Sequence, residues 1–257
     1  MYKKRIYFIT ATAILLIGAV LFAVGFAMNG FDIWRLSSET RAEASYVITD
    51  TFSSINISSS SADVTVLPSS DGTCRIDCKE TERITHDVKV VNGALTITKR
   101  DDRNWYQKIG FMPKMKVTVY LPEEEYGNLT AETNTGNISI KGSFIFENVN
   151  LECDTGNITF KNSTAKILKI EADTGNITFK NSTAKILKIE ADTGDVKIID
   201  SDADEVYIET DTGDVKGHFL TDKIFRTKSD TGKVRVPKST VGGICYIETD
   251  TGDIIFE

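Results

Sequence analysis

The sequence predicts an all-β protein, a single-stack, β-helix-like β-solenoid of about seven coils of 19–20 residues, with an N-terminal β-hairpin and cap region and one transmembrane helix ahead of it. Three observations predict this. Residues 154–172 read DTGNITFKNSTAKILKIEA, and residues 173–191 repeat them without a change. The turn core recurs at Asn134, Asp192, Asp211, Asp230 and Asp250, so that glycines fall at 136, 156, 175, 194, 213, 232 and 252, always 19 or 20 residues apart. Within a unit the apolar residues alternate at a spacing of two, as in Leu168, Ile170, Ala172 and then Ile177, Phe179, which is the period of a strand and not of a helix. A fixed short period marks stacked units, each burying its apolar face against its neighbours.

The turn between the two strands of a coil carries its own chemistry. Asp-Thr-Gly-Asn offers a side chain that bonds nearby backbone at its first position and a glycine able to take positive φ at its third. Reading down the stack gives columns. Val149, Leu168, Leu187, Val206, Phe225 and Cys245 form one inward column, and Leu151, Ile170, Ile189, Ile208, Thr227 and Ile247 a second. Ile158, Ile177, Val196, Val215, Val234 and Ile254 form a third, with Phe160, Phe179, Ile198, Gly217, Val236 and Phe256 beside it. Cys153, Ala172, Ala191, Thr210, Ser229 and Thr249 are small, as a strand end entering a corner requires. Outward stands an acidic ladder, Glu132, Glu152, Glu171, Glu190, Glu209, Lys228 and Glu248, whose like charges repel modestly. Lys169 and Lys188 stand two residues away to offset part of that repulsion.

Lys3, Lys4 and Arg5 precede residues 6–28, a run without a charged side chain and long enough to cross a hydrocarbon core. By the positive-inside rule residues 1–5 are expected in the cytoplasm and everything after the span outside. A cleaved signal peptide is the competing reading, because Gly25-Phe26-Ala27 carries small residues where a signal peptidase cuts. The run exceeds the usual signal-peptide core, which favours an uncleaved anchor. So short an N-terminal segment leaves no cytoplasmic signalling domain in the expectation. The expected organisation is 1–5 cytoplasmic, 6–28 anchor, 29–45 polar tether with Phe31 and Trp34, 46–130 a β region capping the solenoid, and 131–257 the repeats.

The net charge of −7 argues against nucleic acid, which is bound mainly through basic surface. The four cysteines are expected to be buried thiols: Cys74 and Cys78 share a strand, and Cys153 and Cys245 lie coils apart. Before the repeats come short alternating runs around residues 52–57, 62–66, 88–90, 95–97 and 115–121, with Asn92-Gly93 as a hairpin signal. Ser60-Ser-Ala-Asp-Val64 reads as a degenerate version of the later turn. The stack is therefore expected to begin there and to be interrupted by a hairpin between about residues 74 and 115.

The opening Phe52-Ser-Ser-Ile-Asn-Ile57 strand, Lys116-Val-Thr-Val-Tyr-Leu-Pro122, Tyr126-Gly-Asn-Leu129 and the Thr-Gly-[Asn/Asp]-[Ile/Val] units behind an apolar segment resemble the bacterial putative-adhesin family, LiaG-like β-strand-repeat proteins of unknown function. The resemblance spans about residues 45–257. It implies a solenoid at the cell surface, association with envelope-stress gene clusters, and no assigned chemistry.

Sharper readings weigh less. Asp-Thr-Gly is the aspartic-protease triplet, but here it recurs at a fixed step and is followed by Asn, Asp or Lys. Asp154, Asp173, Asp192 and Asp211, with oxygen side chains at 157, 176, 195 and 214, form an edge that calcium would fit, although the glycine-rich nonapeptide of calcium-binding repeats is absent. Asp200, Asp202 and Asp204 begin like an EF-hand, but Glu205 stands where that loop needs glycine. A surface glycan-active enzyme would need loops that such short coils lack. His86 and His218 are expected at the surface, and no catalytic residues or cofactors are assigned. The Asn-x-Ser/Thr triplets at 137, 157, 162 and 176 follow from the turn and strand pattern.

The expectation is a non-catalytic, membrane-anchored binding or scaffold protein, or an accessory to an envelope-stress system, with calcium-dependent adhesion and glycan-directed catalysis as alternatives. Its candidate partner surface is Glu152, Glu171, Glu190 and Glu209, with Ile254 and Phe256 on a last coil whose edge is expected to be open to a partner or a second copy.

Overall fold

The computed structural model describes residues 2–28, 41–105 and 115–257, and divides into two units, Met1–Thr40 with Asp102–Pro113, and Arg41–Asp101 with Lys114–Glu257. In the first unit α1 (Tyr2–Met28) carries an apolar stretch, Thr10–Met28, of mean hydropathy 2.4 with none of it buried. Its 27 residues extend about 40 Å, enough to cross a hydrocarbon core of about 30 Å. Phe31 and Trp34 of the expected tether lie outside the described residues.

Every other described element is a strand. The second unit opens with β1 (Arg41–Ile48), β2 (Ser54–Ser58), β3 (Ala62–Pro68), β4 (Cys74–Thr81), β5 (Ile84–Val91), β6 (Ala94–Asp101) and β7 (Met115–Leu121). The repeats follow as long and short strands in alternation: β8 (Glu125–Thr135), β9 (Ile138–Lys141), β10 (Ile145–Thr155), β11 (Ile158–Lys161), β12 (Thr164–Thr174), β13 (Ile177–Lys180), β14 (Thr183–Thr193), β15 (Val196–Thr212), β16 (Val215–Phe219), β17 (Lys223–Thr231), β18 (Val234–Arg235), β19 (Gly243–Thr251) and β20 (Ile254–Phe256). Arg41 to Ser45, expected in the tether, belong to β1, which pairs antiparallel with β4 from Arg41↔Thr81 to Ile48↔Cys74.

The short strands stack as β7–β3–β9–β11–β13–β15–β16–β20–β18, extended beyond β7 by β4 and β1. The long ones stack as β6–β2–β8–β10–β12–β14–β15–β19–β17, with β5 antiparallel beside β6. All pairings but those of β1–β4, β4–β7 and β5–β6 are parallel, and β15 serves both rows. Alternate residues of both rows fill one core, in which Leu168, Ile170, Ile177 and Phe179 have no exposed surface. Burying each such side chain contributes about 1.5–3 kcal/mol. Phe160 and Phe179 stack on each other from adjacent coils, centroids 6.0 Å apart.

Two corners hold each coil, and both are bonded from coil to coil. At the first, the fourth turn residue accepts the backbone N–H of its equivalent in the next coil: Asp63 Oδ1 from Asn137, Asn137 from Asn157, Asn157 from Asn176, Asn176 from Asp195, Asp195 from Asp214, Asp214 from Asp253 and Asp253 from Lys233, at 2.7–3.1 Å. Asn or Asp is needed there because a short side-chain oxygen must replace a backbone acceptor the corner has turned away. The ladder begins at Asp63, so the segment before it is a turn of the same kind, as its sequence suggests. The glycine of this corner has φ near +150° and touches its equivalent, a Cβ on Gly175 lying 1.9 Å from the Gly156 carbonyl oxygen. At the second corner Asn162, Asn181 and Asp200 take left-handed φ, which Asn and Asp tolerate. Behind them Ser163, Ser182 and Ser201 are buried, the Oγ of each later serine accepting the N–H of the one before at 3.2 Å.

The order of coils departs from the order of the chain at both ends. β19 lies between β15 and β17, with Val206↔Cys245 and Cys245↔Phe225, and β20 lies between β16 and β18. At the other end β2 and β3 lie between the layer of β6 and β7 and that of β8 and β9. The inward columns are thus as expected in membership, except that Val234, on the outermost short strand, is 46% exposed, but they do not follow the order of the chain, and Cys153 and Cys245 are four coils apart. The expectation of an open edge at Ile254 and Phe256 is overturned: the two are 0% and 2% exposed, and their strand is paired on both sides. The outermost strands at this end, among the described residues, are β17 and β18, rich in Lys and Arg. Cationic side chains on an edge discourage pairing with other chains. The interruption after β3 is real, and Asn92-Gly93 makes the β5–β6 hairpin, both residues at positive φ and Val91 opposite Ala94.

This order predicts a cross-linking outcome. Parallel neighbours lie about 4.8 Å apart, within disulfide reach, whereas next-nearest strands lie about twice as far. Oxidation should bridge the double variant Glu209→Cys/Glu248→Cys and leave Glu209→Cys/Lys228→Cys open by mass spectrometry; the reverse pattern would mean that the coils stack in chain order.

Candidate interaction surface

The residues between the inward columns of the long strands face out, and their parallel register turns them into continuous rows. One row runs Glu132, Glu152, Glu171, Glu190, Glu209, Glu248 and Lys228, so that the single lysine ends the acidic ladder instead of interrupting it. Lys228 Nζ lies 2.5 Å from Glu248 Oε1 and 3.3 Å from Asp230 Oδ1. The neighbouring row runs Asn150, Lys169, Lys188, Tyr207, Tyr246 and Arg226. Tyr207 and Tyr246 stack at 5.4 Å with planes 9° apart; Arg226 covers the far face of the pair at 5.3 Å and donates to Tyr246 Oη at 2.8 Å, and Lys188 Nζ stands 5.9 Å from the centre of the Tyr207 ring. Lys169 pairs with Glu171. Over these two rows runs an open groove of about 900 Å³ lined by Lys188, Glu190, Tyr207, Glu209, Arg226 and Glu248 among others.

The electrostatics follow from the stacking. Partial burial holds the Glu152 carboxyl above its ordinary range, helped by Glu132 and Glu171 on either side and opposed by Lys169. Burial, and then the Glu171 carboxyl beside it, does the same for Glu190. The lysines are raised as well, which favours their charged form, Lys169 by its hydrogen bond to Glu171 and Lys228 by Glu248 and then Asp230.

Glu152, Glu171, Glu190 and Glu209 therefore come together as one strip, whereas Ile254 and Phe256 lie in the core. The strip also contains Tyr207 and Tyr246, which sequence reading passed over. The signal was present, since both stand two residues before a ladder glutamate, but their contact depends on the exchanged order of the last coils.

On the turn edge Asp173, Asp192 and Asp211 are exposed and Asp154 is half-buried, accepting the Asn134 side-chain amide at 2.8 Å. The oxygens at 157, 176, 195 and 214 that would complete a calcium edge accept backbone N–H groups instead. Asp202 holds the buried Lys223 at 2.5 Å, a structural ion pair in place of an EF-hand start. His218 is exposed, 3.7 Å from Asp200, but His86 is 4% exposed. It lies in phase with the inward Ile84, so the surface position expected for it is wrong, and the alternation of β5 could have shown this. All four cysteines are buried and unbonded to one another.

Comparison with known proteins accords with this architecture. Residues 52–255 match the family described as Toastrack DUF4097. The chain belongs to this family. Among solved structures it is similar to one described as a "putative adhesin" from Bacteroides fragilis, at 17% identity and TM-score 0.52 over 86% of this chain and 99% of that one. A "putative adhesin" from Parabacteroides distasonis is similar at 14% identity and TM-score 0.41 over 85% and 98%, and a "putative lipid binding protein" from the same organism at 12% and 0.31 over 86% and 98%. No curated protein matches the chain. The Bacteroides likeness bears on the fold alone.

The raised carboxyls predict a pH dependence. A carboxyl whose folded pKa lies above its unfolded value contributes stability that is present below the unfolded value and is lost as pH rises through the folded one. The strip should therefore favour folding more at pH 5 than at pH 8. Glu190→Gln should raise the melting temperature at pH 8 and reduce the difference between the two pH values; an unchanged difference would show that the ladder carries no net repulsion.

Proposed function

We propose that the chain is a membrane-anchored, extracytoplasmic Toastrack solenoid that works without catalysis, by presenting a rigid acidic strip to an envelope or cell-surface partner. The observation that carries this is the continuous outward row from Glu132 to Glu248, held by backbone register on a face with no loop between coils. A row of like charges costs stability, so its retention over successive coils fits a surface used for recognition. Reading the repeats as one stack of about seven coils is supported by the unbroken parallel pairing. Anchoring through α1 is supported by its length and apolar character, and the basic residues before it favour a cytoplasmic N-terminus. With the outer face then outside the cell, the protein acts as an adhesin-like scaffold or as an accessory to an envelope-stress system. The groove is open and its carboxylates are arrayed at strand spacing with alternating cations at one end, an arrangement suited to binding a polymer or a protein face.

The test is photo-crosslinking in intact cells from a probe amino acid at position 171, with the adducts identified by mass spectrometry. An envelope protein is expected for the accessory role, and wall polymer or another cell's surface for adhesion. No adduct at 171 or at 209, with the protein folded and exported, would remove the strip as the working surface.

A further inference from the structure

At the opposite end of the second unit is a group of side chains that the strip leaves unused. Cys78 and Glu80 alternate along β4, and His86 follows across the tight turn into β5. They are 1%, 6% and 4% exposed, and one ligand atom from each lies within 4.8 Å of the others. Among the described residues no other grouping of three such side chains occurs.

The bonding within the group leaves one atom unused. Glu80 Oε1 accepts the His86 backbone N–H at 2.7 Å and meets the imidazole Nδ1 at 3.0 Å. A carboxylate only accepts, so Nδ1 carries the proton and Nε2 keeps its lone pair. Nε2 is buried with no hydrogen-bond partner, and buried polar atoms in native proteins are rarely left so. Nε2 points away from Glu80, so an ion shared by the carboxylate and the ring would sit at Nδ1, 3.0 Å from Glu80 Oε1, in place of the proton there, which would move to Nε2. The group is fixed by its surroundings. Tyr46 Oη donates to the His86 carbonyl at 3.3 Å, and Lys99, opposite His86 in the β5–β6 register, directs its ammonium to Ser60 Oγ and Ser61 Oγ at 3.0 and 2.8 Å. The bland alternative is a buried Glu–His pair that only ties β4 to β5, but it does not use the adjacent thiol.

The geometry points to a metal site in the cap of the solenoid, in which Cys78 Sγ, the His86 imidazole and the Glu80 carboxylate bind one divalent ion of zinc-like character. Sulfur, nitrogen and oxygen ligands together suit Zn²⁺ and its Co²⁺ substitute and not Ca²⁺, which takes oxygens alone. Three protein ligands leave a fourth position for water. On binding, the Cys78 S–H bond breaks, its proton passes to solvent and an S–metal bond forms, so that one proton is released per ion. The ion would cross-link the two rows of strands where β4 and β5 pass from one to the other.

The test uses the full-length chain in detergent, stripped with a chelator and titrated with Co²⁺. The expected result is a thiolate-to-cobalt charge-transfer absorption that saturates at one ion per chain and is displaced by Zn²⁺. Cys78→Ser should abolish the absorption, His86→Gln should weaken Co²⁺ binding on the order of tenfold or more, and Glu171→Gln should change neither. If a variant loses its β circular dichroism, protection of Cys78 from thiol alkylation by Zn²⁺ in the native protein gives the same answer. No charge-transfer band, a band that survives Cys78→Ser, or weak binding that does not saturate, an adventitious ion only, would each overturn the site.

Discussion

In the repeats each turn glycine stacks directly on the next. A Cβ at Gly156, Gly175, Gly194, Gly213 or Gly252 would sit 1.9–2.0 Å from the carbonyl oxygen of the glycine stacked against it. Even an alanine methyl therefore has no room in this column. From Gly136 onward the corner turns where glycine stacks on glycine, the first of them resting on Ala62, so the glycines set where each coil begins, and their recurrence every 19 or 20 residues sets its length. Register then follows. A slip of one residue would exchange the two faces of every strand, placing Glu171 in the core and Ile170 in solvent. The Asn and Asp oxygens that accept the next coil's N–H lock the same register from the adjacent position. The core columns, the acidic row and the tyrosine pair all inherit their alignment from this corner.

A stack of parallel coils must also end twice, and each end is a row of unpaired backbone groups. In the Toastrack chain the coil next in sequence is not the coil next in space at either end. At one end a cationic coil lies outermost, and the apolar strand of Ile254 and Phe256 is covered on both sides. The same exchange brings Arg226 over Tyr246 and Lys228 against Glu248, so the two outward rows each finish on a cation. At the other end antiparallel strands turn the parallel stack back on itself, and it is there that Cys78, Glu80 and His86 meet. Closing the ends and assembling the local chemistry are consequences of one topological choice.

The repeats, their inward columns and the Asn92-Gly93 hairpin were legible because each depends on a local pattern: period two in the strands, glycine in the corner, Asn-Gly in the turn. Asp63 was legible as a degenerate turn for the same reason. The order of the last coils was not, because every Asp-Thr-Gly corner fits every other and nothing within a unit says which neighbour it will take. What separates the alternatives is pairing between coils, such as Lys228 with Glu248, and single-unit reading does not see it. The acidic strip was legible as a column, but its tyrosines were not, since their contact depends on that order. His86 was within reach, its phase with Ile84 in β5 marking it as inward. The partnering of its ring with Glu80 required the turn between β4 and β5 to be placed.

The most direct measurement is the stability of Gly175→Ala against Gly72→Ala. Both glycines have positive φ, but a Cβ at 72 meets nothing within 4 Å while one at 175 meets the Gly156 carbonyl. Strain at φ alone costs about 1 kcal/mol, and forced overpacking adds roughly 1–3 kcal/mol. Equilibrium unfolding should therefore show Gly175→Ala destabilised well beyond Gly72→Ala. Equal and small losses at the two positions would contradict the claim that the glycine column fixes the stack.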